Sequence, residues 1–547
     1  MKAIESRNGT FMKSQIATGK DPIVSFIDNY NGQWNSLLLE STKKIQEKRN
    51  ILIATSISSY THGSSLDRRL AIALTSRGHK VAFMLCDEQL KACQIIKFEN
   101  APPSKFLKMN STPRCGKCAP QIAEKFEPIG LEIFKLDYER ELSQRFENKV
   151  MSMSLEELKQ IDFEGQNLWE HSRAGAIRYF ATTNLEQEEF ALEILRKYLV
   201  SAYRICLASK KIFERFQPNI VLAHHGIYVP QGIIVDYFRG RGAQIMTWTP
   251  SYREATFIFS PDESYHHSLI TEPKTSWESY KLTVDECAKL DAYMTSRASG
   301  TQDWITFSDS RIEKKTNKVR DKGFFLALTS VSWDADLHYE SRAFKDMKSW
   351  IRTTLDFFKE NQDMKLVVRI HPAEVTSPNK SREKMEEYIN GLGARELMNI
   401  EVVSAEDPQS TYELIENAKA VLIFNTKTGI EAAYRRKPVV VAGEAWIKGK
   451  GFSYDVYSPR EYLDILARTR DNDLVMSDDM HEKAIKYAYH FFFKRMIRIE
   501  LFSGKSAKEF FPERKISWSE MLGEDDVNFQ EICNAILENR VPYSRVI

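Results

Sequence analysis

The stretch that decides the fold is residues 418–455, AKAVLIFNTKTGIEAAYRRKPVVVAGEAWIKGKGFSYD. An unbroken apolar run, 420–424, ends in Asn425-Thr426-Lys427-Thr428-Gly429. A helical stretch follows, with Glu431 in its first turn, and a second apolar run occupies 438–442. Short apolar runs between turn residues read as strands buried on both faces, and strand–helix–strand at this spacing is a parallel βαβ unit. Ligands of open α/β sheets bind beyond the carboxyl ends of the strands. Residues 425–428 therefore stand at a ligand edge. Free N–H groups at the helix start suit a diphosphate, and Thr426, Lys427 and Thr428 add hydroxyl and ammonium contacts. Glu431, an acceptor-only carboxylate, suits ribose hydroxyls. Read without a ligand, the same residues are an N-capped helix with an acidic first turn.

The pattern extends toward the N-terminus. Residues 324–334 (FFLALTSVSWD) read as a strand and a loop that offers Ser330 and Trp333. Residues 366–374 (LVVRIHPAE) place Arg369 and His371 at a strand end, where Pro372 stops pairing because it lacks an N–H. Strands at 324–328, 366–370, 400–403, 420–424 and 438–442 alternate with helices at 344–360, 381–392, 411–418 and 429–435, which predicts one parallel sheet. Asp334-Ala335-Asp336 could hold a metal on a diphosphate, though two aspartates in a polar loop are common.

An earlier series repeats the theme. Residues 50–54 form a strand, 66–77 a helix, and 80–85 the next strand; 220–223, 230–239 and 243–249 give a second such unit. Between them, 140–216 is helical and highly charged. The polar, basic stretch 295–322 reads as an interdomain linker. The expected organisation is an N-terminal extension (1–48), a Rossmann-like domain with a helical insertion (49–294), the linker, a second Rossmann-like domain (323–482), and C-terminal helices (483–547) packing back across both. The fold class is α/β: two doubly wound domains facing a cleft.

Loops of the first domain also offer side chains able to act as a general base. His62 in 58–65 (SSYTHGSS) and His225 in 223–226 (AHHG) follow strand ends, and Glu254 follows the strand ending at Thr249. Each also reads as an ordinary polar loop residue. Cys86, Cys93, Cys115 and Cys118 include a Cys-x-x-Cys. Four thiolates can bind Zn²⁺, while the alternatives are separate thiols or a redox pair. The aromatic, basic stretch 483–502 (KAIKYAYHFFFKRMIRIELF) reads either as a helix packed on the interface or as a peripheral membrane face.

Composition narrows the classes. Of 547 residues, 42% are hydrophobic and 28% charged, as in ordinary globular chains. A net charge of +2, from 77 basic and 75 acidic residues, provides no field to gather nucleic acid. No apolar run reaches the ~20 residues of a membrane span, and the N-terminus lacks a signal-peptide core. Seven cysteines, an odd number, favour a reducing compartment, so a cytoplasmic location is expected.

The order of the Trp-Asp loop, VRIHPAE and NTKTGIEAAYRRKPVVVAGEAW resembles the capsule polysaccharide biosynthesis proteins. Residues 68–88 (RRLAIALTSRGHKVAFMLCDE) and CGKC resemble a surface-polysaccharide branch of that family more loosely. The resemblance spans about residues 51–493. It implies a GT-B-like glycosyltransferase that moves a sugar from a CMP-, UDP-, GDP- or dTDP-linked donor to a bacterial surface glycan or glycolipid, without a catalytic metal. It also implies a place at the inner face of the cell membrane or in a glycan-assembly complex. The Gln-Pro motif usual in the Kdo-transferring members is absent from the expected position; Gln217-Pro218 precedes a strand instead. Two alternatives stand beside this reading: a CDP-polyol phosphotransferase on a related scaffold, and a non-catalytic scaffold protein of glycan assembly.

Overall fold

The computed structural model describes residues 20–41, 48–305, 323–334, 343–377, 379–470, 474–502, 511–512 and 514–545. Two sheets organise the chain. The first has the order β15-β8-β7-β6-β1-β2-β3, where β1 is Asn50–Ser56, β2 Lys80–Leu85, β3 Glu132–Lys135, β6 Ile220–His224, β7 Gln244–Pro250, β8 Thr256–Pro261 and β15 Ile497–Arg498. A separate hairpin, β4 (Asp162–Phe163) and β5 (Gln166–Asn167), belongs to the helical insertion. Strands β3, β2, β1, β6 and β7 run parallel, and β8 and β15 close the edge antiparallel.

The second sheet has the order β11-β10-β9-β12-β13-β14 and is wholly parallel. Its strands are β9 Phe324–Leu328, β10 Leu366–Arg369, β11 Ile400–Val403, β12 Ala418–Ile423, β13 Val439–Val441 and β14 Tyr454–Asp455. Helices cover both faces, so the central strands β9, β10 and β13 are buried along their whole length. These are two Rossmann-like units, as the alternation of the sequence predicted.

In each sheet the strand order reverses once. In the first, β1 lies between β2 and β6; in the second, β9 lies between β10 and β12. Connections leave the two central strands toward opposite faces there, opening a crevice at the carboxyl edge. The loops after β1 and β6 flank one crevice, and those after β9 and β12 flank the other.

The boundaries differ from the sequence-based division in two places. The helices Pro22–Asn29 and Asn31–Ser41 lie within the stretch read as an extension, yet Ile23, Phe26, Ile27 and Trp34 are buried in the first domain's core. The helices Tyr265–Thr271 and Val284–Ser296 belong to the second domain's core, through Leu269, Leu290, Tyr293 and Met294. The chain therefore crosses before residue 265 rather than at 295. Within the predicted linker, 306–322 lies outside the described residues. The chain also returns: after the Asp478–Tyr489 helix, β15 joins the first sheet and the Val527–Glu538 helix packs on its core, with Arg69 stacked 3.7 Å from the Phe529 ring.

The segment 483–502 forms no apolar membrane face. Tyr487, Phe491, Phe492 and Phe493 are core residues of the second domain, and Leu501 and Phe502 of the first. Among the described residues no helix is long and apolar enough to cross a membrane.

Candidate functional site

A pocket of about 260 Å³ opens at the second switch point. The β9 end contributes Ser330, Trp333 and Asp334; the β10 end, Arg369 and His371; the β12 end, Asn425, Thr426, Lys427 and Thr428. Ser330 Oγ donates to Asn425 Oδ1 across the reversal, tying the two loops together. The sequence-predicted cluster is thus assembled in one place, with Glu431 the exception.

Glu431 is fully buried beneath the pocket and does not line it. Its Oε1 accepts from Lys427 Nζ at 2.9 Å and from Arg297 Nη2 at 3.1 Å and Nε at 3.3 Å. Burial opposes its charge, but Arg297 and Lys427 outweigh it and hold its pKa far below the carboxylate range. The expected ribose contact is corrected by this geometry: the carboxylate is committed to two cations, and those cations face the pocket. Arg297 donates its remaining edge to Asp303. Burial lowers the Lys427 pKa to about 8, with Arg297 adding to the shift and Glu431 resisting it.

The helix after β12, Thr428–Tyr434, has only seven residues. Its dipole is correspondingly small, so positive potential here comes from side chains rather than from the helix start. Thr426 Oγ1 accepts from Thr428 N at 3.3 Å and donates to Thr428 Oγ1 at 3.2 Å, shaping the turn.

Arg369 is 5% exposed. It donates to the carbonyls of Ser404 and Asp407, the latter at 3.2 Å, and so fixes the loop after β11 while still bordering the pocket. His371 Nδ1 accepts from Ala373 N at 3.0 Å, which leaves Nε2 as the ring's N–H in the neutral tautomer. Burial, then Lys427 and Arg369, lower its pKa to about 4, so it is neutral at physiological pH. The Trp333 indole donates to Ser381 Oγ at 2.8 Å and packs on Ile177 and Ala181 of the first domain. Asp334 accepts from Arg178 at 2.9 Å and from the Tyr228 hydroxyl at 2.8 Å, both first-domain residues. Asp336 lies outside the described residues.

Several lining residues escaped the sequence reading. Tyr252, Tyr265 and Trp446 supply aromatic walls. Arg297 sits in what read as linker. Its only sequence signal is an arginine ending an amphipathic helix, and the helix crosses to the second sheet only in three dimensions.

The base candidates lie elsewhere: none of His62, His225 and Glu254 lines the pocket. His62 occupies the first turn of the Thr61–Ser76 helix, not a loop. Gly63 there is packed by Tyr60 and Trp248, with an added Cβ only 2.6 Å from the Tyr60 ring, so its smallness serves packing rather than substrate approach. Burial lowers the His62 pKa to about 4. His225 Nδ1 accepts from Ile227 N at 3.2 Å, which makes Nε2 its N–H when the ring is neutral. Glu254 sits in the β7–β8 turn, its backbone bonded to Gln302 and Arg498.

The four cysteines converge on a cavity of about 20 Å³. Cys115 Sγ lies 3.2 Å from Thr112 Oγ1, and Cys118 Sγ 3.1 Å from Ser58 Oγ, so these thiols are turned to hydroxyl partners. Burial pushes the Cys93 thiol up to about 12, and Cys86 higher still. Among the described residues no group of three His, Cys, Asp or Glu side chains is placed to hold a metal ion.

The structure is thus an α/β protein of two Rossmann-like domains, with a cation-bearing, aromatic-walled pocket at the second switch point. Residues 251–491 match the family described as capsule polysaccharide biosynthesis protein. The matched span begins in the β7–β8 hairpin and takes in the whole second sheet. No curated protein sequence matches the chain. Among solved structures, it is similar to the Thermosulfurimonas dismutans KpsC beta Kdo 2,4 transferase at 11% identity, over 49% of this chain and 79% of that one, with a TM-score of 0.33. The UDP-GlcNAc 2-epimerase of Neisseria meningitidis, bound to UDP-GlcNAc, aligns at 10% identity over 81% and 97% with a TM-score of 0.25. A glycosyltransferase from Rickettsia africae ESF-5 aligns at 11% over 90% and 100% with a TM-score of 0.28.

Proposed function

We propose that the chain is a GT-B-like glycosyltransferase of surface-polysaccharide assembly, with its nucleotide-sugar donor at the second switch point. The observation that carries this reading is the pair Lys427 and Arg297, two cations held at one pocket edge by a buried glutamate. Such a pair suits a nucleoside phosphate, whose charge grows as the glycosidic bond breaks and the nucleotide leaves. Tyr252, Tyr265 and Trp446 offer flat apolar surface for a base or sugar ring. In this reading the two side chains, rather than a metal, face the leaving group, and a chelator leaves the rate unchanged.

The acceptor glycan, in this reading, enters at the first switch point near His62 and Tyr228. His62 is the base in this reading because of its place beside that switch point; burial lowers its pKa to about 4, so the ring is unprotonated at pH 7. All seven cysteines are free thiols, in keeping with work in a reducing compartment such as the cytoplasm.

A thermal-shift panel of CMP-, UDP-, GDP- and dTDP-linked sugars tests the donor assignment. A ligand that binds only the native state at 100 times its Kd stabilises it by about 2.7 kcal/mol. One nucleotide class is expected to raise the melting temperature. A panel with no shift at millimolar ligand contradicts the reading.

A further inference from the structure

The Trp169–Phe180 helix carries His171, Ala174 and Arg178 at spacings of three and four, along one face. That face bears on residues 225–230. Ala174 packs with Ile227 and Tyr228, and the Arg178 guanidinium lies 4.8 Å from the Tyr228 ring centre. The buried His171 ring makes two short contacts: Nδ1 to the Ile227 carbonyl at 2.6 Å, and Nε2 to Asp236 Oδ2 at 2.7 Å. Both partners only accept, so both nitrogens must carry hydrogen, which is the imidazolium form. Either neutral tautomer would set a ring lone pair against an oxygen lone pair. The ring also fills the space over Gly232 in the Gln231–Arg239 helix, where an added Cβ would stand 2.2 Å from Nδ1.

We infer that charged His171 is a positioning residue that pins the 225–230 loop, and through it holds Tyr228 on Asp334 and His225 at the acceptor side of the cleft. The catalytic consequence rests on the proposed transfer; the pinning itself does not.

Burial disfavours the charge most strongly, but the Asp236 carboxylate, its hydrogen bond and the Ile227 carbonyl together raise the pKa above the ordinary histidine value. Other charged groups around the ring are Arg239, which donates to Asp236, and Glu164, Glu170 and Arg241 along the same groove. A raised folded-state pKa means the pin is intact below that pKa and is lost as pH rises through it.

Hydrogen exchange of the full chain, followed by mass spectrometry and corrected for intrinsic pH dependence, tests the pin without any ligand. In the wild type the 224–232 backbone is expected to be protected at pH 6 and to lose protection as pH rises. His171→Gln should exchange about tenfold faster there at pH 6, the scale of one charge-assisted hydrogen bond, and without the pH step. Gly232→Ala should do the same by displacing the ring. Peptides from β1 and β6 serve as the control that the core stays folded. A two-bond proton–nitrogen spectrum of ¹⁵N-histidine protein, assigned by the signal missing from His171→Gln, should show both ring nitrogens protonated at pH 6. Unchanged loop exchange in His171→Gln, or a neutral ring at pH 6, overturns the inference. A chain that binds no nucleotide but passes these measurements overturns the donor reading alone.

Discussion

The two switch points share a topology and differ in how their side chains are occupied. At the second, Lys427, Arg297 and Asn425 border an open pocket; the carboxylate the two cations share, Glu431, is buried below them, and Asp303 pairs with the far edge of Arg297. At the first, the groups turn on one another. Trp248 donates to Asp67 at 3.1 Å, the Tyr60 ring lies 4.7 Å from that of His224, and burial lowers the His224 pKa to about 3. Burial likewise lifts Asp67 to about 7. A crevice made by strand order alone becomes an anion site only where cations face it and their counter-charge is withdrawn. In the proposed reading the first crevice, where burial keeps the His62 and His224 rings neutral, receives the neutral hydroxyl-bearing acceptor.

The comparison breaks most severely at Glu431. Glu431→Gln leaves Arg297 and Lys427 buried without their shared counter-charge, and breaking a buried pair costs about 3–5 kcal/mol. Denaturant titration should show that loss. Because the folded pKa of Glu431 is depressed, its contribution is present above the ordinary glutamate pKa and fades as pH falls below it. Wild type and variant should therefore converge in acid.

His62→Gln sharpens the contrast. Transfer should fall by about 100-fold, the lower end for a lost general base, while nucleotide affinity in calorimetry stays unchanged. An equal loss in both would move His62 out of the acceptor role.

The division between what was and was not legible in the sequence follows the same line. The NTKT turn, Ser330 and His371 were readable because strand ends in a parallel sheet are fixed by local pattern. Arg297 was not, because its helix reaches the second sheet by a chain crossing with no local signature. Glu431 was legible as a first-turn acid but not as a buried counter-ion, since burial depends on what packs above it. Likewise, four thiols meet at one cavity, but the hydroxyls of Ser58 and Thr112 beside Cys118 and Cys115 could not be read from cysteine spacing.

Smaller effects should follow at Asp334. Asp334→Asn weakens its contacts with Arg178 and Tyr228 at the domain seam, where half-exposed pairs contribute about 1 kcal/mol or less. Its melting temperature should barely move, whereas exchange in the 225–230 loop should rise.

The most direct test of the central claim is titration calorimetry of CMP, UDP, GDP and dTDP into the wild type and Lys427→Met, at pH 7 and pH 9. The account predicts that one nucleotide binds with one-to-one stoichiometry, and that Lys427→Met weakens it by about 10–100-fold, the range for a hydrogen bond to a charged group. Wild-type affinity should also fall at pH 9, above the Lys427 pKa of about 8, because the neutral amine no longer attracts the phosphate. Equal affinity in wild type and Lys427→Met, or no binding of any of the four, would contradict it.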